Sequence, residues 1–323
     1  MILIIADRDD AHSRAVAKEL GGRGTTVEFF DFADFPQQAE IMLEVSDKGN
    51  RLCILTPQRS IDFSEVRTVL YRRPHPPLVS YPQDPDAESY IREECLVFLE
   101  SLPLLSHCRW VSSPIAVRTA SQKPYQLLVA REVGFAIPPS VIGNSPSAVS
   151  QFSQSQTGDM AVKPLTKPYI REDAQGRAIY TFTQKLSREA LAERAVKVRP
   201  CPVIVQGYVE KKLELRITVV GNSTFACAIH SQANEQTKTD WRRYNIPATP
   251  HRVYTLPEHV ERRCVALTEK LGLEFGCIDL IVTPDDDYVF VEINPIGQWL
   301  WIEELTGMPI SEALAALLLE KNA

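Results

Sequence analysis

The chain of 323 residues has no run of about 18 apolar residues, so nothing in it reads as a membrane-spanning helix, and its opening "MILIIADRDD" turns acidic too early for a secretory signal. Positive charge is not in excess. Asp and Glu outnumber Lys and Arg by 41 to 35, which argues against a broad nucleic-acid-binding face but leaves room for a local basic pocket suited to a phosphate-bearing small molecule. The seven cysteines (53, 95, 108, 201, 227, 264 and 277) include no CxxC pair and no Cys/His cluster with zinc spacing. Scattered and odd in number, they are expected to be reduced core thiols of a soluble, cytoplasmic protein. No glycine-rich loop separates the first strand from the first helix, where a dinucleotide fingerprint would need it; the glycines of "GGRG" follow the helix and read as its cap and turn. HRD and DFG strings are missing, which sets protein kinases aside, and there are no internal repeats or low-complexity segments.

What is present is a 44% hydrophobic chain, enough for a large core in two or three domains. "MILIIAD", a helix over roughly 11 to 20 and "TTVEFFDF" make a βαβ opening. "IMLEVS" and "RLCIL" flank the hairpin signal "DKGN"; "VRTVLYRR" reads as a strand, and a helix with apolar positions Ile91, Cys95, Phe98, Leu99 and Leu102 follows. These elements predict a first domain over 1–112. A central unit, 113–200, starts with a helix capped by Ser121, begun at Pro124 and ended at Gly134, then carries the strand "MAVKPL", a hairpin around "EDAQGR" and the helix "REALAERAVKV". A final unit, 201–323, alternates strands ("PVIVQGYV", "ELRITVVG", "TFACAIH", "CIDLIV", "YVFVEIN") with an amphipathic helix on Val260, Cys264, Leu267 and Leu271 and a closing helix. The fold class is α/β (α+β).

The chemistry concentrates near the C-terminus. If "CIDLIVTPDDDYVFVEIN" is a hairpin with the four-residue loop Pro284–Asp287, Thr283 faces Tyr288 and Asp279 falls opposite Glu292. Alternation then puts Glu292 and Asn294 on one face, with Val291 and Ile293 towards the core. Opposed carboxylates ask for a cation between them, and two carboxylates with an amide suit Mg²⁺. The alternative is an edge hairpin whose polar residues face solvent, and a one-residue slip would separate the pair. Lys163, at the end of an apolar strand before Pro164, can bring a point charge to a phosphate, as Lys123 can from the start of its helix, although most lysines are solvated. In "ELRITVV", Glu214, Arg216 and Thr218 share a face; Arg216 either stabilises developing negative charge or pairs with Glu214 on a solvated sheet. The groups "YRRPHPP" and "DWRRYN" suit carboxylate or phosphate contacts but also fit solvated loops.

Taken in order, Lys123, "AVKP", "VIVQGYV", "ELRITVVG", "CIDL" and "VEIN" resemble the ATP-grasp superfamily of carboxylate–amine ligases over roughly residues 115 to 323. "VEINPIGQWLWIEELTGMPISEAL", "YRRP" and "SQANEQTKTDWR" are similar, more narrowly, to the maturases of graspetides, the microviridin-type ribosomal peptides. The resemblance implies an ATP-grasp fold behind an N-terminal pre-grasp domain, with ATP and Mg²⁺ as cofactors. It implies that Lys123 and Lys163 hold ATP phosphates and that Gln206, Tyr208 and Val209 form the hinge beside adenine. Glu214 would lie near the ribose, Arg216 near the reacting acyl phosphate, and Asp279, Glu292 and Asn294 would hold Mg²⁺. Arg242 would contact phosphate or substrate. Leader and core of a precursor peptide are the implied partners, with "KPYIREDAQGRAIYTF" as the leader-binding hairpin; nucleic acid and membrane are not, and a homodimer is left open.

The chain departs from the pattern it resembles in two places. Ile296 stands where these maturases usually have a second asparagine, and Cys277 where many ATP-grasp ligases have an arginine two residues before the first metal aspartate, leaving more of that charge to Arg216 or a loop arginine. Gln298, Trp299 and Trp301 are expected to pack the segment leaving the site, the tryptophans in the core. The implied activity activates Glu or Asp side chains of a precursor as acyl phosphates and joins them to Ser/Thr hydroxyls or Lys amines. The rivals are a ligase adding amino acids to a protein or small acid, and a non-catalytic nucleotide-binding partner of another maturase.

Overall fold

The computed structural model describes the chain apart from residues 82, 167–168, 173–177, 181, 242–248 and 321–323. The apolar opening forms β1 (Ile2–Ile5), buried throughout. Asp10 caps α1 (Ala11–Gly22) by accepting from the Ser13 backbone N–H, and the chain returns as β2 (Val27–Phe30). β3 (Glu40–Ser46) and β4 (Gly49–Thr56) form the expected hairpin, and β5 (Arg59–Asp62), which the sequence pattern did not reveal, makes it a three-stranded sheet. β6 (Thr68–Tyr71), α2 (Pro85–Leu105) and β7 (Arg109–Val111) follow. β2, β1, β6 and β7 lie side by side in that order, all parallel. Since successive strand residues face opposite ways, β1 feeds two cores. Leu3 and Ile5 pack with Ile54, Leu99 and Leu102, whereas Ile2 and Ile4 meet Val16 and Leu20 of α1.

After residue 112 the structure differs from the expected single helix. α3 (Pro114–Ala120) comes first, and Ser121 closes it by donating its hydroxyl to the Val117 carbonyl instead of capping α4 (Lys123–Glu132), whose N-cap is Gln122. Each helix carries a proline in its first turn, so two starts lie too close together for periodicity to separate. β8 (Ser140–Gly143), α5 (Pro146–Ser155) and β9 (Met160–Lys163) come next, then β10 (Tyr169–Glu172), β11 (Ala178–Tyr180), β12 (Gln184–Leu186), α6 (Arg188–Arg194) and β13 (Val203–Gly207). An antiparallel sheet takes the order β12-β9-β13-β8, and β10 pairs with β11 as a separate hairpin, whose turn lies outside the described residues.

The last third contains β14 (Leu213–Val220), β15 (Ser223–Ile229), β16 (His251–Val253), α7 (Glu258–Lys270), β17 (Phe275–Val282), β18 (Tyr288–Asn294), α8 (Leu300–Thr306) and α9 (Ile310–Leu319). Its antiparallel sheet runs β16-β15-β14-β17-β18. Leu215, Ile217 and Val219 of β14 pack on Val260, Cys264 and Leu267 of α7, which turns Glu214, Arg216 and Thr218 to the opposite face, as the alternation predicted. Ile310, Leu314 and Leu318 of α9, with Trp299, join Ile2, Ile4 and α1, so one core unites the first and last parts of the chain. Trp299 is fully buried, as expected, and Trp301 stacks half-buried against Trp241 with ring centroids 5.4 Å apart. Gln298, by contrast, is exposed, so it does not pack the segment.

His12 sits at this junction. The Trp299 backbone N–H donates to its Nδ1 (3.4 Å), and burial, reinforced by the Arg72 guanidinium, pushes the imidazole down to about 4. The unfolded chain takes up this proton near 6.5, the folded protein only near 4, so the unfolded state binds more protons in between. The stabilisation is complete above pH 6.5 and is lost as pH falls towards 4, amounting to about 3 kcal/mol. His12→Asn should flatten this acid limb in urea melts; an unchanged slope would show that His12 does not cause it.

Candidate active site

Adjacent strands place three charges in a row. Arg216 on β14 lies opposite Asp279 on β17, which lies opposite Glu292 on β18. The last pairing was expected, but the path to it was not. Val282, not Thr283, faces Tyr288, so the loop is one residue longer than counted, and an irregularity between Leu280 and Asp279 restores the register. The extra residue is Val291, which lines the site instead of facing the core, while Phe290 and Ile293 are the buried pair.

Arg216 Nη1 donates to both Asp279 carboxylate oxygens (3.0 and 3.2 Å), and Lys123 Nζ stands 3.4 Å from Glu292 Oε2. Protein cations thus stand beside both opposed carboxylates and offset part of their repulsion, and Arg216 pairs with Asp279 instead of Glu214. Burial opposes the Arg216 charge, but Asp279 together with Cys277 and Glu292 outweighs it and holds its pKa above the ordinary arginine value, so it stays charged. Gln126, unnoticed in the sequence, explains how Lys123 arrives. Its side chain donates to the Ile293 carbonyl (2.8 Å) and accepts from the Ile293 N–H (3.1 Å), satisfying the edge of β18 and docking α4 beside Glu292.

Between this sheet and the sheet of β9 and β13 lies a cleft lined by Lys163, Gln206, Tyr208, Val209, Glu214, Asp279 and Glu292. Lys123 and Arg216 stand behind that lining, held against Glu292 and Asp279. Asn294, at the end of β18 opposite Cys277, is half-buried and outside the cleft wall. Arg242 falls outside the described residues. Gln206 is buried and its side chain donates to Ser140 Oγ (2.8 Å), while Lys185 Nζ lies 3.9 Å over the Tyr208 ring.

Lys211 is a further cleft residue that the sequence did not reveal. Almost fully buried, it donates to Glu214 Oε1 (2.8 Å) and to the Thr239 carbonyl (3.0 Å), joining β14 to the segment that carries Trp241. Glu214 Oε2 is buried without a hydrogen-bond partner among the described residues, an acceptor aimed at the cleft that suits a hydroxyl. Lys211→Met should frustrate Glu214 and weaken ADP binding about tenfold, with less effect in the Glu214→Gln background. Additive losses in calorimetric titrations would show that the two act separately.

The donor set fits the implied groups. Asp279 and Glu292 offer hard oxygens to Mg²⁺, and Lys163 faces them from the other sheet, where phosphates would lie. Two sheets gripping a charged cleft behind a parallel βαβ unit define an ATP-grasp fold. Residues 1–118 match the model of the MvdD pre-ATP grasp domain. A RiPP-associated ATP-grasp ligase of Chryseobacterium gregarium, solved in complex with ADP and a leader and core peptide, is 29% identical with TM-score 0.90, covering 100% of this chain and 97% of that one. The macrocyclase MdnC of Microcystis aeruginosa MRC, bound with precursor peptide MdnA, is 29% identical with TM-score 0.85, and the macrocyclase MdnB from the same source is 27% identical with TM-score 0.78; each comparison covers 98% of both chains. No curated protein matches. The chain is an ATP-grasp ligase by fold and resembles RiPP-associated members along its whole length, as the motifs implied. Among the described residues no helix is long and apolar enough to cross a membrane.

Proposed function

We propose that the protein is an ATP- and Mg²⁺-dependent peptide ligase that closes rings in a ribosomal, microviridin-type precursor in the cytoplasm. The observation that carries this is the cleft between two sheets, which unites Lys163 with Glu214, Asp279 and Glu292 in a chain similar from end to end to peptide macrocyclases. ATP would phosphorylate a Glu or Asp side chain of the bound peptide; a Ser/Thr hydroxyl or Lys amine of the same peptide would displace phosphate from the acyl phosphate, giving an ester or amide. Lys163 and Lys123 neutralise the phosphates, Tyr208 and Val209 with Gln206 flank the adenine, and Glu214 takes the ribose. Arg216 faces the oxyanion, and Arg242 contacts phosphate or peptide. Asp279, Glu292 and Asn294 would hold Mg²⁺, which supplies positive charge to the transferring phosphoryl group.

Relatives solved with leader, core or precursor peptides support a peptide partner, and the β10–β11 hairpin is the segment we assign to its leader. A folded hairpin deletion that keeps full leader affinity would remove that assignment. We divide the chain into 1–112, 113–200 and 201–323, and leave a homodimer as one assembly to weigh. The ligase reading is tested by incubating the protein with ATP, Mg²⁺ and its precursor. Each ring should remove one water from the peptide and release one ADP, whereas a gain in mass dependent on free amino acid would favour the rival ligase.

A further inference from the structure

Arg72 follows β6 in the N-terminal part, yet only 2% of it is exposed and its side chain ends against the turn after β18. Nη1 donates to the carbonyls of Ile296 (2.9 Å) and Gly297 (2.8 Å), Nε donates to Asp10 Oδ2 (3.1 Å), and the guanidinium carbon lies 4.6 Å from the Trp299 ring centroid. Arg73 Nε adds a bond to the same Ile296 carbonyl (3.2 Å). From the opposite side, Arg216 Nη2 donates to the Gln298 carbonyl (3.4 Å). Gly297 is pressed so closely between them that a Cβ there would fall 2.4 Å from Cys277 Cβ and 2.8 Å from Arg216 Nη2. The turn is thus clamped by two buried arginines, and the second is the one that holds Asp279.

We infer that Arg72 is a positioning residue for the Arg216–Asp279–Glu292 row: by fixing the 296–298 turn it sets both the Arg216 guanidinium and the end of β18. Only arginine serves here, because its planar fork reaches two carbonyls and a carboxylate while its face rests on an indole; a lysine ammonium makes no such set. Burial pushes the Arg72 pKa down to about 10 against the pull of Asp10, which leaves it charged at neutral pH. Its Nη2 is buried without a hydrogen-bond partner among the described residues, a cost that an apolar side chain filling the same space would avoid. Packing alone therefore does not account for the residue.

The inference rests on the ligase reading of the cleft, and its test separates the two. In the full-length Arg72→Lys protein, ring-closure kcat should fall about a hundredfold, because small displacements of a reacting array are costly. ADP affinity should stay within about threefold, since the nucleotide-binding side chains are untouched. Amide exchange in 296–299 should quicken about tenfold while β14 stays protected. Quicker exchange with an unchanged kcat would make the clamp merely structural and overturn the inference; so would unchanged exchange, whether or not the ligase reading stands. Failure of the wild type to bind ADP would sink the ligase reading instead. Should Arg72→Lys not fold, Arg72→Met fills the same space without the buried charge: lost kcat with retained ADP binding supports the inference, and retained kcat overturns it.

Discussion

Exchanging Glu292 for glutamine should leave stability within about 1 kcal/mol of the wild type while cutting ring closure at least about a hundredfold. The change removes a charge 3.4 Å from Lys123 but also relieves the repulsion from Asp279 across the strand pair, and these effects oppose each other. Lys123 is not stranded, because it also reaches the carbonyls of Pro164 and Thr166. Asp279→Asn makes the same change of charge one strand away with a different result. There Arg216, whose side chain is only 6% exposed, would lose the carboxylate that compensates it, and stability should drop by about 3–5 kcal/mol. Urea melts without metal and ring-closure assays in excess Mg²⁺ distinguish the pair. A Glu292→Gln protein that turns over normally yet melts early would sink the metal-site reading.

What the sequence made legible follows from burial patterns. β14 is the middle strand of its sheet and alternates apolar and polar residues from Leu213 to Val219, so a period of two identifies Arg216 and Glu214 without further information. The facing of Asp279 and Glu292 was reached through a count that is wrong near the turn. A longer loop and the extra residue at Val291 cancel, and neither leaves a mark in composition. Where a choice depends on contacts distant in sequence, the pattern carries no signal. In "VEKKLEL" two lysines look alike, yet Lys211 is buried on Glu214 while Lys212 is half-exposed beside Asp286. "YRRP" reads as a solvated loop because the groups that bury Arg72, the carbonyls of Ile296 and Gly297, lie 224 and 225 positions further on. Gln126 resembles any polar residue in a helix until the edge of β18 is set beside it. The motifs thus led to the fold and the carboxylate row, and the supporting residues needed the structure.

Replacing Arg216 with methionine should make the protein far more dependent on Mg²⁺ for stability than the wild type. In the folded chain Arg216 donates from one nitrogen to both oxygens of Asp279, which is itself opposed to Glu292. Methionine keeps most of the volume and removes the charge, so two buried carboxylates would face each other without the guanidinium that now binds Asp279, at a cost of about 3–5 kcal/mol without metal. A divalent cation that binds those carboxylates only in the folded state would restore stability by mass action, by about 2.7 kcal/mol at a hundred times its Kd. The wild type should gain less, because its guanidinium already occupies Asp279. Since ions also screen exposed charges, each Mg²⁺ melt needs a Na⁺ control at equal ionic strength. Turnover should remain low in the rescued variant, which still lacks the guanidinium that meets the oxyanion. Identical responses to Mg²⁺ and to matched Na⁺ would show that Asp279 and Glu292 do not form a metal site, and that Arg216 balances a purely structural pair.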